Sequence, residues 1–413
     1  MVLRELSISE FNAFTNAYKQ SSIYQTEQYA NAMANQSFTS LYYGLEESGK
    51  LYAATLILVE KRHGFKYAYA PRGYLMDYTN NDLVKTFTTS LKKELGKKGI
   101  IAIKISPLII KETFDSKSAN INSNSDYEMI FSNLKKLGYY HLGYNNFFEA
   151  LKPRFEAILN IEPSLQEIFS SFMPDVQNIL INMESSGLQV YKSSTFNQDV
   201  LNINKNLTQP EIQFYQNMFL AYQSNLEFFY IKLDTNQYLK NVQSRYQKQS
   251  EASSEANAKV FETRGTDNTN EINLKLQEEN KLNDLKNELV YATNLLKNNP
   301  NGIITGSCIT IKNKNSVYLL IDNYDDQYKM VNSKYVLIWR LIEKYTNEGI
   351  SEFNLGGITN FSLEDNPYKE LNDFKLSFGS IGYEYLGDLE LITNKPLYVM
   401  YQNSSPIRNI LKK

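Results

Sequence analysis

Between Asn236 and Pro300 the chain gives up almost all glycine and proline and becomes rich in Gln, Asn, Glu and Lys. Leu282, Leu285, Leu289, Ala292 and Leu296 step by 3, 4, 3 and 4 along it. That spacing is the seam of a coiled coil. Leu239, Val242 and Tyr246 start a weaker seam upstream. The turn residues of the segment lie between the two, in TRGTDNTN, Thr263 to Asn270. The pattern predicts a long antiparallel helical hairpin with its tip near Gly265. The segment holds nine Lys and Arg against nine Asp and Glu. An electroneutral arm does not grip RNA by charge alone, and a solvated or purely structural arm fits it equally well.

The flanks repeat one grammar on either side of this insertion. Before it, FTSLYYGLE, KLYAATLILVEKR and FKYAYAPRG alternate as strands, and DLVKTFTTSLKKELGKKG is an amphipathic helix with glycine stops leading into the strand IIAIKISP. Residues 154–235 run strand, two helices, strand, helix, strand. Residues 301–383 resume with a hairpin, the helix SKYVLIWRLIEKYTNEG and the strand ISEFNLGG. The fold class expected is α/β (α+β): two tandem units interrupted by the hairpin. The expected limits are 1–148 together with 384–413 for the first unit, 149–235 and 301–383 for the second, and 236–300 for the arm.

Several chemistries are poorly served. One cysteine, Cys308, in the apolar run ITGSCITI, excludes an internal disulfide and a multi-cysteine zinc site, and it reads as a small buried residue. His63 and His141 are the only histidines, so a nucleophile–His–acid triad has little to draw on. No metal or cofactor is expected. The net charge of −2 does not favour nucleic acid or an anionic membrane for the chain as a whole. MVLRELSISEF lacks the basic and apolar regions of a signal peptide, and no run reaches the roughly 18 apolar residues needed to span a bilayer. The expectation is a cytoplasmic protein, with contact at the inner membrane face left open.

The stretch NDFKLSFGS, Asn372 to Ser380, alternates Phe374, Leu376 and Phe378 with Asp373, Lys375 and Ser377. Its period predicts a half-buried strand. Lys375 then either points at water or holds something anionic.

Five stretches together resemble the Fem-type aminoacyltransferases of bacteria: YQTEQYA, YAPRG (Tyr69 to Gly73), the helical arm, VLIWRLIEKYTNEGISEFNLGG, and NPYKELNDFKLSFGSIGYEYLGDLEL. Order and spacing match over nearly the whole chain. The resemblance implies two N-acetyltransferase-like domains with a helical arm. It also implies transfer of an amino acid from aminoacyl-tRNA to the amine of a peptidoglycan stem peptide, lipid-linked or nucleotide-linked. Such an ester is already activated, so aminolysis needs positioning and a positive group near the developing oxyanion rather than a cofactor. Phe374 and Lys375 match the family's Phe-Lys pair at the donor end and reaction centre. Arg72 and Gly73, with Tyr69, match a second motif on the acceptor side, where Lys104, Ser106 and Tyr318 are also expected.

The chain departs from the family at three places. Met33 stands where a Lys is common, FMPDVQNILINMESSG carries no basic residue, and KISP places Ser106 where an Asp is common. Those positions serve the acceptor, so other residues such as Lys104 and Arg154 would have to meet its phosphates. Two rival readings follow. One is an acyltransferase of the same fold acting on another amine-bearing acceptor. The other is a non-catalytic scaffold that holds a partner with its arm. The transferred amino acid and the oligomeric state are not legible.

Overall fold

The structure is a computed structural model and describes residues 1–20, 22–115, 120–150, 152–183, 186–265 and 268–404. The expected first unit's last residues, 405–413, and part of the expected arm tip, 266–267, lie outside these.

The first half carries β1 (Val2–Glu5), α1 (Ile8–Ala17), α2 (Glu27–Ala34), β2 (Thr39–Glu47), β3 (Lys50–Arg62), β4 (Phe65–Ala70), α3 (Asn81–Lys97), β5 (Ile100–Ile105), β6 (Ile110–Phe114), β7 (Asn120–Ser123), α4 (Tyr127–Lys136) and β8 (Tyr139–His141). There follow β9 (Phe155–Asn160), α5 (Leu165–Ser171), α6 (Pro174–Met183), β10 (Leu188–Ser193), α7 (Gln198–Leu201), α8 (Gln209–Tyr222) and β11 (Leu226–Leu233). The arm is α9 (Thr235–Glu262) and α10 (Thr269–Asn298). The chain closes with β12 (Ile303–Asn313), β13 (Ser316–Tyr324), α11 (Ser333–Asn347), β14 (Glu352–Ile358), α12 (Lys369–Leu376), β15 (Ile381–Tyr385), β16 (Leu389–Ile392) and α13 (Lys395–Ser404).

These strands make two sheets, ordered β1-β2-β3-β4-β5-β16-β8 and β10-β11-β12-β13-β14-β9-β15-β6-β7. Each has one parallel pair, β4 with β5 and β13 with β14, bridged by α3 and α11 respectively. A parallel pair requires such a crossover. The two sheets exchange strands. The C-terminal β16 enters the first sheet between β5 and β8, and β9, which follows β8 in the chain, enters the second between β14 and β15. β6 pairs with β15 in the second sheet and β7 with β6, so Ile110–Phe114 and Asn120–Ser123 do not join the first sheet as the expected limits imply.

The parallel pairs differ in one respect that shapes the site. The pairing of β4 and β5 runs from Lys66 through Ala70. The pairing of β13 and β14 covers only Ser316–Tyr318 against Glu352–Asn354, and beyond it the two strands part. The expected hairpin arm is present. Of its seam, Ala292 is fully buried, while Leu295 rather than Leu296 is the next residue to be buried. The helical period of 3.6 drifts against a 3-4 seam where the arm meets the globular core.

One prediction fails clearly. Phe374, Leu376 and Phe378 do not lie on a strand; Lys369–Leu376 is the helix α12. Asn372, Phe374, Lys375 and Leu376 are buried on it, and Ser377 and Phe378 just beyond it, while Lys369, Glu370 and Asp373 are exposed; the buried arc is wide and the helix short, so its 3.6 period is hard to read.

Three apolar clusters hold the molecule. One lies in the second sheet with α5, α6 and α11, and one between the first sheet and α3 and α4. The third is shared: Leu56, Leu58, Phe11, Ala30 and Met33 of the first half pack with Met218, Phe228 and Ile309 of the second. Met33 is therefore a core residue.

Candidate active site

The turn after β4 points across the interface between the two sheets. Arg72 adopts a left-handed φ of 52°. A Cβ on Gly73 would stand 2.9 Å from Nε2 of Gln25 and 3.1 Å from Oγ1 of Thr55, so only glycine fits there. Gln25, from YQTEQYA, fastens the turn: its Nε2 donates to the Pro71 carbonyl at 2.7 Å, and its Oε1 accepts from the Leu56 N–H at 2.8 Å. Two of the matched motifs thus meet in one structural unit.

The Arg72 side chain does not face an open groove. It is buried, and its Nη2 lies 2.6 Å from Oε1 of Glu156 and donates to the Pro153 carbonyl at 2.8 Å. The guanidinium lies 4.9 Å from the ring centre of Tyr385. Burial opposes its charge, but Glu156 and the surrounding phenols more than offset that, so its pKa is raised. Glu156 accepts two further hydrogen bonds, from Asn354 Nδ2 at 3.0 Å and the Tyr385 hydroxyl at 3.3 Å. Arg72 is therefore a clamp between the halves.

The other expected acceptor-side residues surround this clamp. The hydroxyls of Tyr69 and Ser106 are 3.0 Å apart, and Ser106 Oγ accepts from the Arg72 N–H at 3.2 Å. Ser106 thus holds the turn. Lys104 is 2.7 Å from Oδ2 of the buried Asp388, and Arg154 is paired with the buried Glu384, so neither cation is free for a phosphate in this state. Tyr318 sits at the last paired position of β13, opposite Asn354, where the sheet opens. Burial, and then Glu156, raise its pKa.

Lys375 approaches the same opening from α12. It does not point at water: it is 7% exposed, and its Nζ donates to the Gly357 carbonyl at 2.9 Å. Gly356, with φ of 83°, brings the backbone so close that a Cβ there would be 3.4 Å from Nζ. Burial lowers the pKa of Lys375, while Asp322 and Glu156 oppose that shift. Phe374, its neighbour, meets Tyr335 edge-on at 5.2 Å and lies under the Lys334 ammonium at 4.8 Å. It borders a cavity of about 320 Å³ lined also by Asp322, Tyr324, Ser333 and Lys334. The structure thus brings Lys375, Tyr318, Arg72, Tyr69 and Ser106 together around Glu156 and its clamp, leaves Phe374 on the neighbouring cavity, and sets Lys104 apart on its own carboxylate.

Sequence reasoning missed Glu156, Asn354, Tyr385 and Lys152. Glu156 left a signal, an acid inside the otherwise apolar strand FEAIL. Lys152 left none. Its amine lies 3.5 Å from the ring centre of Tyr24 and 5.3 Å from that of Tyr29. Burial first, and then Arg72, lower its pKa to about 7 against the opposing pull of Glu156. Cys308 is buried in β12, as read. His141 is occupied by the backbone of Leu386 and Gly143.

Known proteins resemble the chain over nearly its whole length. The model of the FemAB family matches residues 6–404. Aminoacyltransferase FemA of Staphylococcus epidermidis is 23% identical over 420 residues, covering 99% of this chain and 100% of the relative. A lipid II:glycine glycyltransferase of the same species is 22% identical over 413 residues, covering 96% and 94%. The crystal structure of FemX superimposes with a TM-score of 0.70 at 19% identity over 97% of this chain and 99% of that one, which shows the same fold.

Proposed function

The chain belongs to the FemAB family, and from that premise we propose that it transfers an amino acid from aminoacyl-tRNA to the stem-peptide amine of a lipid-linked peptidoglycan precursor. It is an aminoacyltransferase of the tandem N-acetyltransferase-like fold. One observation carries the assignment of its centre: Lys375 is a buried amine whose hydrogen bond goes to a backbone carbonyl at the place where β13 and β14 part.

The reaction is ester aminolysis. The acceptor nitrogen attacks the ester carbonyl, negative charge develops on the carbonyl oxygen, and the bond to the ribose oxygen breaks. In its charged form, favoured by Asp322 and Glu156, Lys375 stabilises that oxygen from a water-poor position. Phe374 borders the cavity that takes the donor end, where its ring offers a face to a base or to the aminoacyl group. Tyr318 lies between this opening and the clamp. Arg72, Gly73, Tyr69 and Ser106 shape the acceptor side through the turn they build, and Lys104 lies farther along it. No helix among the described residues is long and apolar enough to cross a membrane; we place the reaction on the cytoplasmic face, where charged tRNA is found.

The test is transfer of labelled amino acids from total aminoacyl-tRNA to lipid-linked and nucleotide-linked muropeptides, read by mass. The expected product gains an aminoacyl residue, vanishes with RNase, and forms about 10²–10³-fold more slowly with Lys375→Met, the usual effect of removing one oxyanion donor. Unchanged activity in that variant would remove Lys375 from the centre. A second reading, a different amine-bearing acceptor, is favoured by the burial of Met33 in the shared core and by the absence of basic residues from α6. It predicts tRNA-dependent transfer to neither muropeptide.

A further inference from the structure

Lys152 lies in the segment that joins the two sheets, directly before Pro153. Among the described residues no carboxylate pairs with its amine and no oxygen accepts a hydrogen bond from it; its contacts are the faces of Tyr24 and Tyr29. The nearby carboxylate, Glu156, already receives Arg72, Asn354 and Tyr385. The charged and titratable groups facing the amine are Arg72 from the turn after β4, Glu156 from β9, and Tyr24 and Tyr29 from the start of α2 and its approach. Both phenols stay neutral, because burial pushes their pKa values up. Desolvation and a neighbouring guanidinium favour the uncharged amine, whereas the aromatic faces favour the ammonium. Together they leave Lys152 near the balance between the two forms at neutral pH, with a pKa of about 7.

Its position relative to Lys375 is fixed by the backbone between them. Pro153 gives its carbonyl to Arg72, and its ring packs so tightly on Gly357 that a Cβ there would stand 2.6 Å from Pro153 Cγ. The Gly357 carbonyl in turn holds Lys375. Lys375 is thus held at Gly357, the residue on which Pro153 packs, and both lysines lie within the electrostatic reach of Glu156.

We propose that Lys152 is a further catalytic residue, the base that takes a proton from the acceptor's ammonium group before attack. This rests on the transferase reading above. An ammonium group has no lone pair, so the acceptor must lose a proton to become a nucleophile. Neutral Lys152 accepts that proton and becomes an ammonium. The freed amine forms the C–N bond, and the carbonyl electron pair moves to oxygen. When it returns, the bond to the ribose oxygen breaks, and that oxygen takes the second proton from the adduct's nitrogen. Lys152 then releases its proton to water, so each turnover yields one amide, one ribose hydroxyl and one proton.

The experiment measures kcat/KM against pH for the wild type, Lys152→Arg and Lys152→Ala, with RNase-sensitive product as the readout. Arginine keeps the charge but cannot serve as a base at these pH values. The expected result is an acid limb in the wild type with a midpoint near 7. Both variants should lose that limb and fall about 10²-fold or more at neutral pH, as for a lost general base. Wild-type activity in Lys152→Arg would overturn the proposal, since charge alone would then suffice. A second measurement needs no variant: the pH dependence of competitive acetylation at Lys152 in the intact protein. A midpoint near 7 supports the proposal, and one near the ordinary lysine value of about 10.4 overturns it. A wild type that transfers nothing from tRNA overturns the function itself, whereas an active wild type with an unshifted Lys152 overturns the base alone.

Discussion

Arg72 and Glu156 are 84 positions apart in the chain and 2.6 Å apart in the fold. Both are buried, so their attraction is set against the loss of hydration of two charges. Removing one partner leaves the other charged and enclosed. Arg72→Met and Glu156→Gln are each expected to cost about 3–5 kcal/mol in urea unfolding, and the double variant clearly less than their sum. Additive losses would show that the pair does not act as a unit. Arg72 was legible in the sequence as part of a matched turn, but its role was not, because a pairing across 84 residues depends on the whole topology. Lys375 was legible for the same local reason, and its helix was not. Lys152 adds a pH signature. Its amine titrates near 7 in the fold and at about 10.4 in an unfolded chain. Between those values the unfolded chain binds the extra proton, so stability rises with pH across that window. Above about 10 the buried tyrosines, whose pKa values are raised, reverse the trend. Lys152→Met should flatten the rise between pH 7 and 10 in denaturant titrations; an unchanged slope would contradict the low pKa.

At the scale of elements, helices were readable where one face meets solvent, and strands buried on both faces, such as β3 and β12, as apolar runs bounded by turn residues. The helices α3 and α11 and the strands β3 and β12 fall where those patterns place them. The reading failed at α12, where Asn372 is held inside by the Thr359 N–H and carbonyl while Phe374, Leu376 and Phe378 are buried around it. Lys369, Glu370 and Asp373 do face solvent, but the buried arc of this eight-residue helix is the wider one and Phe378 lies beyond its end, so the spacing of two in Phe374, Leu376 and Phe378 reads as a strand. The arm is the opposite case. Its root is fixed by Tyr238, Val242, Ala292 and Leu295, which join the second sheet's core, while farther out Phe261, Leu274 and Leu276 are exposed. The root and the outer arm should therefore respond differently. Replacing residues 251–278 with a short Gly-Ser loop should leave the thermal midpoint within a few degrees, because little core is lost. Val242→Ala should lower stability by about 1–3 kcal/mol through loss of buried methyls. A collapse on removing the outer arm would mean that the distal contacts carry the fold.

At the scale of the molecule, the exchange of strands decides how the protein unfolds. β16 lies between β5 and β8, so the first sheet is complete only when the end of the chain has returned to it. β9 lies between β14 and β15, so the second sheet depends on a strand issued directly after the first half. The shared apolar cluster adds Phe11 and Leu56 from one side to Met218 and Phe228 from the other, all fully buried. The proposed reaction centre is built across the same boundary, with Arg72 from one half and Glu156, Asn354 and Lys375 from the other. Two domains joined by a linker would melt separately. Two domains that each lack an internal strand without the other cannot. Calorimetry should therefore record a single transition whose van't Hoff and calorimetric enthalpies agree. A chain ended at Gly387 should lose both halves rather than one, because β5 and β8 are then left without the strand between them and Leu389 and Leu391 leave the first sheet's core. Two resolved transitions in the full chain, or a folded second half in the shortened one, would show that the exchanged strands are an ornament of topology and that the centre can be assembled from independent parts.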